Sequence, residues 1–166
     1  SASGVIASRE AQESGATAIK NYLAMVAGFK GNHGAPRKSV EQFIADHGRA
    51  YAASEHTYAG KRAAPKMCFM NAGRDALDNP DHTYVEGYIS VHGVPIKHAW
   101  TVDKAGQVYD QTIKPDEHVA GYFGVPFATE YLRDTILQNK VWGLLGHESR
   151  KTLEPLLQGK TNGFLA

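Results

Sequence analysis

Three side chains in the middle of the chain have the types and the order of a nucleophilic catalytic site. Cys68 is the only cysteine among the 166 residues, and His98 and Asp110 follow it. In such a site a thiolate attacks a carbonyl carbon, an imidazole takes and returns the proton, and a carboxylate orients the imidazole. Because these residue types occur in most proteins, the structure predicted around each one decides whether they can act together.

Cys68 is predicted to lie at the start of a helix. Pro65 disfavours helical geometry in the residue before it, and apolar residues recur at helical spacing from Cys68 as far as Leu77. Asn79 and Pro80 then form a typical stop signal. The free N–H groups and the dipole at a helix start favour a thiolate, and the same N–H groups can bind an oxyanion.

His98 and Asp110 are predicted to lie on the two strands of a hairpin. Residues 104–106 end in glycine and suit a three-residue type I loop with its last residue in the left-handed region. The resulting register makes His98 and Asp110 diagonal neighbours on one face of the hairpin. That face also carries Ile96, Trp100, Val102 and Val108. Because the face is mostly apolar, we expect it to pack on the helix of Cys68.

This order of elements resembles the transglutaminase-like branch of the papain-like superfamily of cysteine enzymes. The resemblance covers roughly the middle third of the chain and is carried by four pieces: Cys68-Phe-Met-Asn-Ala72, Tyr84-Val-Glu-Gly-Tyr88, His98-Ala-Trp100 with Val102-Asp103, and Val108-Tyr-Asp110-Gln-Thr112. It implies a papain-like α+β fold, with Cys68 as nucleophile, His98 as base and Asp110 as the residue that orients the base. It also implies a thioester intermediate formed from an amide or a peptide bond.

The acceptor and the substrate stay open at this stage. Water as acceptor makes a peptidase, an amidase or a deamidase, an amine makes a transglutaminase, and another acceptor makes an acyltransferase. A protein glutamine or a short peptide is the leading substrate, followed by a peptidoglycan stem peptide. No charged cluster flanks the three residues in the sequence, so no strong charge selectivity is expected. The alternative is a binding module that kept the fold and lost the activity.

Three residues are candidates for substrate contact: Asn71, Trp100 and Tyr122. Asn71 lies one turn after Cys68 and either touches substrate or ties down a neighbouring loop. Tyr122 opens the apolar residues 122–127, which suit a short edge strand or a wall of the cleft. Residues 51–64 would form the other wall, with His56, Tyr58 and Arg62 either at the site or in a solvated loop. Glu86 supports the site, faces solvent or pairs with a basic residue.

The remaining pattern predicts a single α+β domain, with N-terminal helices and a small antiparallel sheet packed on the Cys68 helix. Residues 14–29 form an amphipathic helix, and the capping-box pattern at residues 39–42 starts a short one. Residues 83–91 form a strand. Thr129 and Ser149 are predicted to cap two further helices. Residues 1–13 and 159–166 are predicted to be tails.

Composition excludes several classes of function. The 18 Lys and Arg residues against 17 Asp and Glu give a net charge of +1, which argues against a general nucleic-acid or membrane-surface binder. A single cysteine excludes an internal disulfide. The eight histidines lack metal-ligand spacing, so no metal or cofactor is expected, although Cys68, His98 and Asp110 have the right types for zinc. No signal peptide and no apolar run near ~20 residues is seen, consistent with the cytoplasm without fixing the compartment.

Overall fold

A computed structural model describes residues 6–31, 37–114 and 118–166, which form the predicted α+β arrangement. The helices are α1 (Arg9–Lys30), α2 (Val40–His47), α3 (Cys68–Asp78), α4 (Thr129–Asn139) and α5 (Arg150–Leu157). The strands are β1 (Arg49–Tyr51), β2 (Thr83–Val91), β3 (Val94–Val102), β4 (Val108–Tyr109) and β5 (Val119–Phe127). They form one antiparallel sheet in the order β1-β5-β2-β3-β4. Within the described ranges, no helix has the length and apolar character needed to cross a membrane.

The helix start at Cys68 and the predicted hairpin turn are confirmed, but Asp110 lies just past the end of β4 and not on the strand. Helix α3 begins at Cys68 and has Asn79 as its C-cap. In the hairpin Val102 faces Val108, and Gly106 has the expected positive φ of 82°. The turn is fixed by the Asp103 carboxylate, which accepts hydrogen bonds from two backbone N–H groups of the loop.

The sheet buries side chains on both faces, and this corrects one expectation about β3. One core lies between the sheet and the helices and includes Ala99 of β3 and Ala72 of α3. A second core, on the other face, consists of Val85, Ile89, Trp100, Val102, Val108, Val119 and Tyr122. The face of β3 that packs on α3 is therefore the Ala99 face. The prediction that the His98 face packs on the Cys68 helix is wrong, because small Ala99 and buried Thr101 receive the helix instead.

Both predicted tails are parts of the fold. Helix α1 begins at Arg9, and the buried side chain of Gln12 exchanges two hydrogen bonds with the backbone of Ala53. Near the other end, the backbone N–H of Ala128 donates to Phe164, and Leu165 forms a β-bridge with Phe127. The tail predictions are therefore wrong for residues 9–13 and 159–166, while residues 1–5 lie outside the described residues.

Strand β5 is an interior strand and not the predicted edge strand. The short strand β1 was not predicted, and it pairs with Tyr122, Phe123 and Gly124 along the outer side of β5. Pro126, which has no N–H to donate, lies past the end of that ladder. The sequence suggested an edge strand because the strand contains a proline. Strand β1 covers residues 122–124 of β5 and leaves Pro126 unpaired on that side.

Three smaller predictions at helix starts have different outcomes. Ser39 caps α2 as predicted, since its hydroxyl accepts the N–H of Gln42 at 3.1 Å. Thr129 is the first residue of α4 and not its cap. Ser149 precedes α5, but its hydroxyl donates to the carbonyl of Gly143 and makes no cap hydrogen bond.

A pair of facing glycines lets the sheet close tightly beside His98. Gly87 of β2 lies between Gly124 of β5 and His98 of β3 in the register. A Cβ on Gly87 would lie 2.2 Å from the carbonyl oxygen of Phe123 and 2.4 Å from the Cα of Gly124. Backbone atoms of β5 occupy that space, so no side-chain rotation can relieve the clash.

Replacement of Gly87 by alanine is expected to destabilise the fold. The added methyl group must push β5 away from β2, and overpacking of this kind costs about 1–3 kcal/mol or more. Urea unfolding measures the loss. The control is Gly60→Ala, because the space around Gly60 is open. A Gly87→Ala protein as stable as the control would show that the two strands are not this close.

Candidate active site

The chain before α3 delivers Cys68 to the helix start with its first N–H groups uncapped. Lys66 has a φ of 63°, in the left-handed region that a residue with a side chain rarely adopts. Met67 is the N-cap and makes no side-chain cap hydrogen bond. Asn71 makes the first helical bond, to the Met67 carbonyl at 2.9 Å. The side chain of Met67 therefore does not cap the N–H groups of the first turn, and these groups lie beside the partly exposed thiol of Cys68.

The imidazole of His98 is fixed by Asp110, and the nearby thiol of Cys68 influences its charge. Its Nε2 lies 2.8 Å from Oδ2 of Asp110, and the ring is 3% exposed. Burial alone lowers the pKa of His98. The charge of Asp110 and its hydrogen bond, with a further hydrogen bond and charge from Cys68, outweigh burial and raise the pKa to about 10. Since Nε2 is used by Asp110, Nδ1 is the nitrogen left for Cys68.

The carboxylate of Asp110 has a hydrogen-bond donor at every position its two oxygens offer. Oδ2 accepts from His98 and from the hydroxyl of Tyr122 at 2.9 Å, and Oδ1 accepts the N–H groups of Thr112 and Ile113 at 3.0 Å each. Burial raises the pKa of Asp110, but the charge of His98 and these hydrogen bonds bring it below its usual value. The carboxylate is therefore held ionised and fixed in orientation.

The loop between β1 and α3 is tied to the same aspartate. The backbone N–H of Asp110 donates to the carbonyl of Thr57 at 3.0 Å, and the guanidinium of Arg62 donates to the carbonyl of Asp110. The hydroxyls of Tyr58 and Tyr122 lie 2.9 Å apart. Several groups of residues 51–64 thus bind the Asp110 segment, so this part of the loop is tied down, and its role as a wall of the cleft stays a prediction.

The three residues predicted to contact substrate are all buried and bind or pack against other parts of the protein. Trp100 and Tyr122 are 0% exposed and belong to the second core, so their prediction as substrate contacts is wrong. Tyr122 instead donates to Asp110. Asn71 is buried, and its amide donates to the carbonyl of Ala64 and to the hydroxyl of Thr112. This is the loop-tying alternative given for Asn71.

Glu86 is buried, contrary to the expectation that it faces solvent. One of its oxygens accepts the hydroxyl of Tyr84 at 2.5 Å, and the two oxygens accept the N–H groups of Leu144 and Leu145 at 2.7 and 2.9 Å. Burial raises the pKa of Glu86 despite these donors and the nearby charge of Lys97. The sequence signal for the buried role of Glu86 is its position between Tyr84 and Tyr88 on the side of β2 that faces the helices.

The arrangement has the parts for acyl transfer. A thiol, a ring nitrogen that can give and take a proton, and uncapped helix N–H groups for an oxyanion lie together. Among the described residues, no group of three His, Cys, Asp or Glu side chains is placed to hold a metal ion. Comparisons with protein-family models, with curated proteins and with solved structures gave no match.

The His98–Asp110 pair predicts a specific dependence of stability on pH. The folded state holds the His98 proton until about 10, whereas the ordinary pKa is 6.5, so the folded state binds more protons in that interval. The free energy of unfolding should therefore fall as pH rises from about 6.5 towards about 10. In Asp110→Asn this part of the decline should disappear, because burial then lowers the pKa of His98.

Urea unfolding at several pH values checks this prediction, together with an NMR titration of the His98 ring. Subtracting the Asp110→Asn stability curve from the parent curve removes the contributions of titrating groups that the two proteins share. A parent ring that loses its proton near its ordinary pKa would contradict the ion pair.

The hydroxyl of Tyr122 is predicted to hold the Asp110 carboxylate. Tyr122→Phe removes one donor to Oδ2, so the pKa of Asp110 should rise, while the buried ring keeps its packing. The carboxylate stays ionised and becomes a stronger acceptor for the imidazolium, so the pKa of His98 should also rise. NMR titration of the His98 ring measures the change. Tyr51→Phe is the matched control, since Tyr51 packs on the same core. Equal titration curves for the two variants would show that the Tyr122 hydroxyl has no electrostatic role.

Proposed function

We propose that the protein is a cysteine-nucleophile enzyme that breaks an amide or a peptide bond through a thioester, as the resemblance to the transglutaminase-like branch of the papain-like superfamily implies. The observation that carries the proposal is His98. Its ring is held by Asp110 at 2.8 Å on one nitrogen and interacts with Cys68, the residue that starts α3. A buried histidine with a purely structural role has no need of a thiol at a helix start.

The chemistry follows from the positions of these groups. The sulfur of Cys68 attacks the carbonyl carbon, and the carbonyl oxygen takes the negative charge. His98 gives its proton to the amine, the C–N bond breaks, and the amine leaves a thioester on Cys68. In the second half, His98 takes a proton from water or from an acceptor amine as that group attacks the thioester. The thiolate of Cys68 then leaves and the cycle closes.

The electrostatics of the pair support His98 as the proton donor of the first half. A pKa near 10 keeps the ring protonated at neutral pH, and Asp110 stabilises that imidazolium. The N–H groups in the first turn of α3 lie near the sulfur and can donate to the developing oxyanion. The side chain of Met67 does not cap them. Both features stabilise charge that appears only during the reaction.

One observation favours the alternative, a binding module without activity. His98 is 3% exposed, so little of its ring is open to a substrate. Reactivity of the thiol separates the two functions. An activated Cys68 reacts with iodoacetamide faster in the native protein than after unfolding, whereas a buried structural thiol reacts faster after unfolding.

Turnover is predicted to depend on Cys68 and Asp110 in different degrees. Cys68→Ala should abolish it without loss of folding, and Asp110→Asn should lower it roughly 10²–10⁴-fold because the imidazolium loses its counter-charge. The assay incubates each protein with glutamine-containing proteins and peptides and a labelled primary amine, and reads masses. Cleavage of the chain shows that water is the acceptor and a peptide bond is the donor. A gain of about one mass unit shows that water deamidates a glutamine side chain, and amine incorporation shows that an amine is the acceptor.

The matched control is Asp78→Asn, an exposed aspartate at the end of the same helix. It should behave as the parent in both assays. Native Cys68 that reacts no faster than the unfolded thiol, with no Cys68-dependent mass change, would favour the binding module.

A further inference from the structure

A cavity of about 590 Å³ adjoins the candidate site on the helix side of the sheet. Three of its lining residues are direct neighbours of the reacting groups: Phe69 follows Cys68, Lys97 precedes His98, and Gly87 faces His98 in the register. The cavity therefore reaches the residue that follows the thiol and lies on the face of β3 opposite the imidazole. Its volume is in the range of pockets that hold small ligands, about 300–1,000 Å³.

Two cations on the cavity wall have no ion-pair partner in the described part of the chain. Lys30 is paired with Glu41 at 2.7 Å, and Arg37 with Glu154 at 2.5 Å, so these four charges cancel. No carboxylate lies within ion-pair distance of Lys97 or Arg150, although both line the cavity.

The remaining acid of the wall, Glu86, already has its own donors. Its oxygens accept the hydroxyl of Tyr84 and the N–H groups of Leu144 and Leu145. These bonds fix the segment that continues into the wall at Gly146. Glu86 is thus a positioning residue for the cavity wall.

The cavity also has apolar side chains, which come mainly from α2, α5 and the residue after the nucleophile. The apolar lining side chains are Val40, Ile44, Phe69, Leu145, Leu153 and Leu157. A ligand that matches such a surface has an apolar group and one negative charge. Arginine and lysine bind carboxylates through charge-assisted hydrogen bonds.

We infer that this cavity binds a carboxylate-bearing peptide segment of the acyl donor, with the carboxylate at Lys97 and Arg150 and an apolar side chain between α2 and α5. The inference rests on the proposed function for the role of Cys68. It differs from the sequence-based expectation of no charge selectivity, because Arg150 is distant from Cys68 in sequence and joins the site only through the fold. The carboxylate belongs to an acidic side chain or to a peptide C-terminus.

A binding experiment tests the cavity without the chemistry. N-acetyl-Leu-Ala with a free C-terminus, its C-terminal amide, and N-acetyl-Leu-Glu amide are titrated into Cys68→Ala protein and followed by NMR. The free acid or the Glu peptide should bind roughly tenfold more tightly than the neutral amide, the factor that a charge-assisted hydrogen bond supplies. The acid that binds more tightly identifies the source of the carboxylate. Equal affinity of all three peptides overturns the inference.

Variants locate the carboxylate. Cys68→Ala with Lys97→Gln or with Arg150→Gln should lose most of the preference for the acid over the amide. Lys151→Gln is the matched control, since this exposed lysine follows Arg150 and is not part of the cavity lining. A preference that persists in both cavity variants would place the carboxylate elsewhere and overturn the inference.

A labelling experiment connects the cavity to Cys68. The same three peptides carrying a bromoacetyl group in place of acetyl alkylate the thiol, and mass spectrometry gives the rates. The ratio of acid to amide rates within one protein cancels changes in thiol reactivity, and it should be roughly tenfold in the parent and near one in the cavity variants. If iodoacetamide shows no activated thiol but the binding preference stands, the proposed function fails and the cavity assignment survives. If binding prefers the acid but labelling does not, the cavity is not part of the Cys68 site and the inference fails.

Discussion

A buried ion pair between His98 and Asp110 is the constraint on which the site and its surrounding loop depend. Burial of two charges is unfavourable unless they are close together and their remaining hydrogen-bonding groups have partners. Asp110 meets that condition with donors from Tyr122, Thr112 and Ile113. Removing any of these donors leaves part of a buried charge without compensation, so the aspartate strongly limits how its surroundings can change.

The same aspartate explains how a loop without regular structure places the nucleophile. Residues 52–67 contain no helix or strand, yet the backbone of Asp110 binds Thr57 and that of Gln111 binds Ala63. The side chain of Asn71 then ties Ala64 to the first turns of α3. Cys68 therefore stands at the end of a segment held at several points to the strand end that carries Asp110. The position of the thiol and the position of the carboxylate are coupled through the backbone.

Local signals explain why the helix start at Cys68 and the hairpin turn could be predicted and why the surroundings of these elements could not. The start of α3 and the register of the hairpin depend on nearby residues, such as Pro65 and Gly106, whose backbone preferences are strong. The contacts of Gln12 with Ala53 and of Glu86 with Leu144 join residues 41 and 58 apart, and Tyr122 reaches Asp110 from a different strand of the sheet. Nothing near these residues in sequence specifies the partner. The choice of the wrong face of β3 has the same origin. Both faces are buried, so alternation of apolar residues does not say which one receives the helix.

The short length of β4 reconciles that corrected face with the proposed pairing of His98 and Cys68. Helix α3 packs on the Ala99 side of β3, whereas His98 points to the opposite side, because successive strand residues alternate. The two can meet only around the outer edge of β3. Strand β4 pairs with Thr101 and Val102 and stops, since the N–H of Asp110 goes to Thr57 and leaves the ladder. The edge beside His98 is therefore not covered by β4, and Cys68 can interact with the ring there. The same alternation puts Lys97 on the helix side, in the cavity. One strand thus carries the proposed proton-transfer group, His98, on one face and the proposed recognition group, Lys97, on the other.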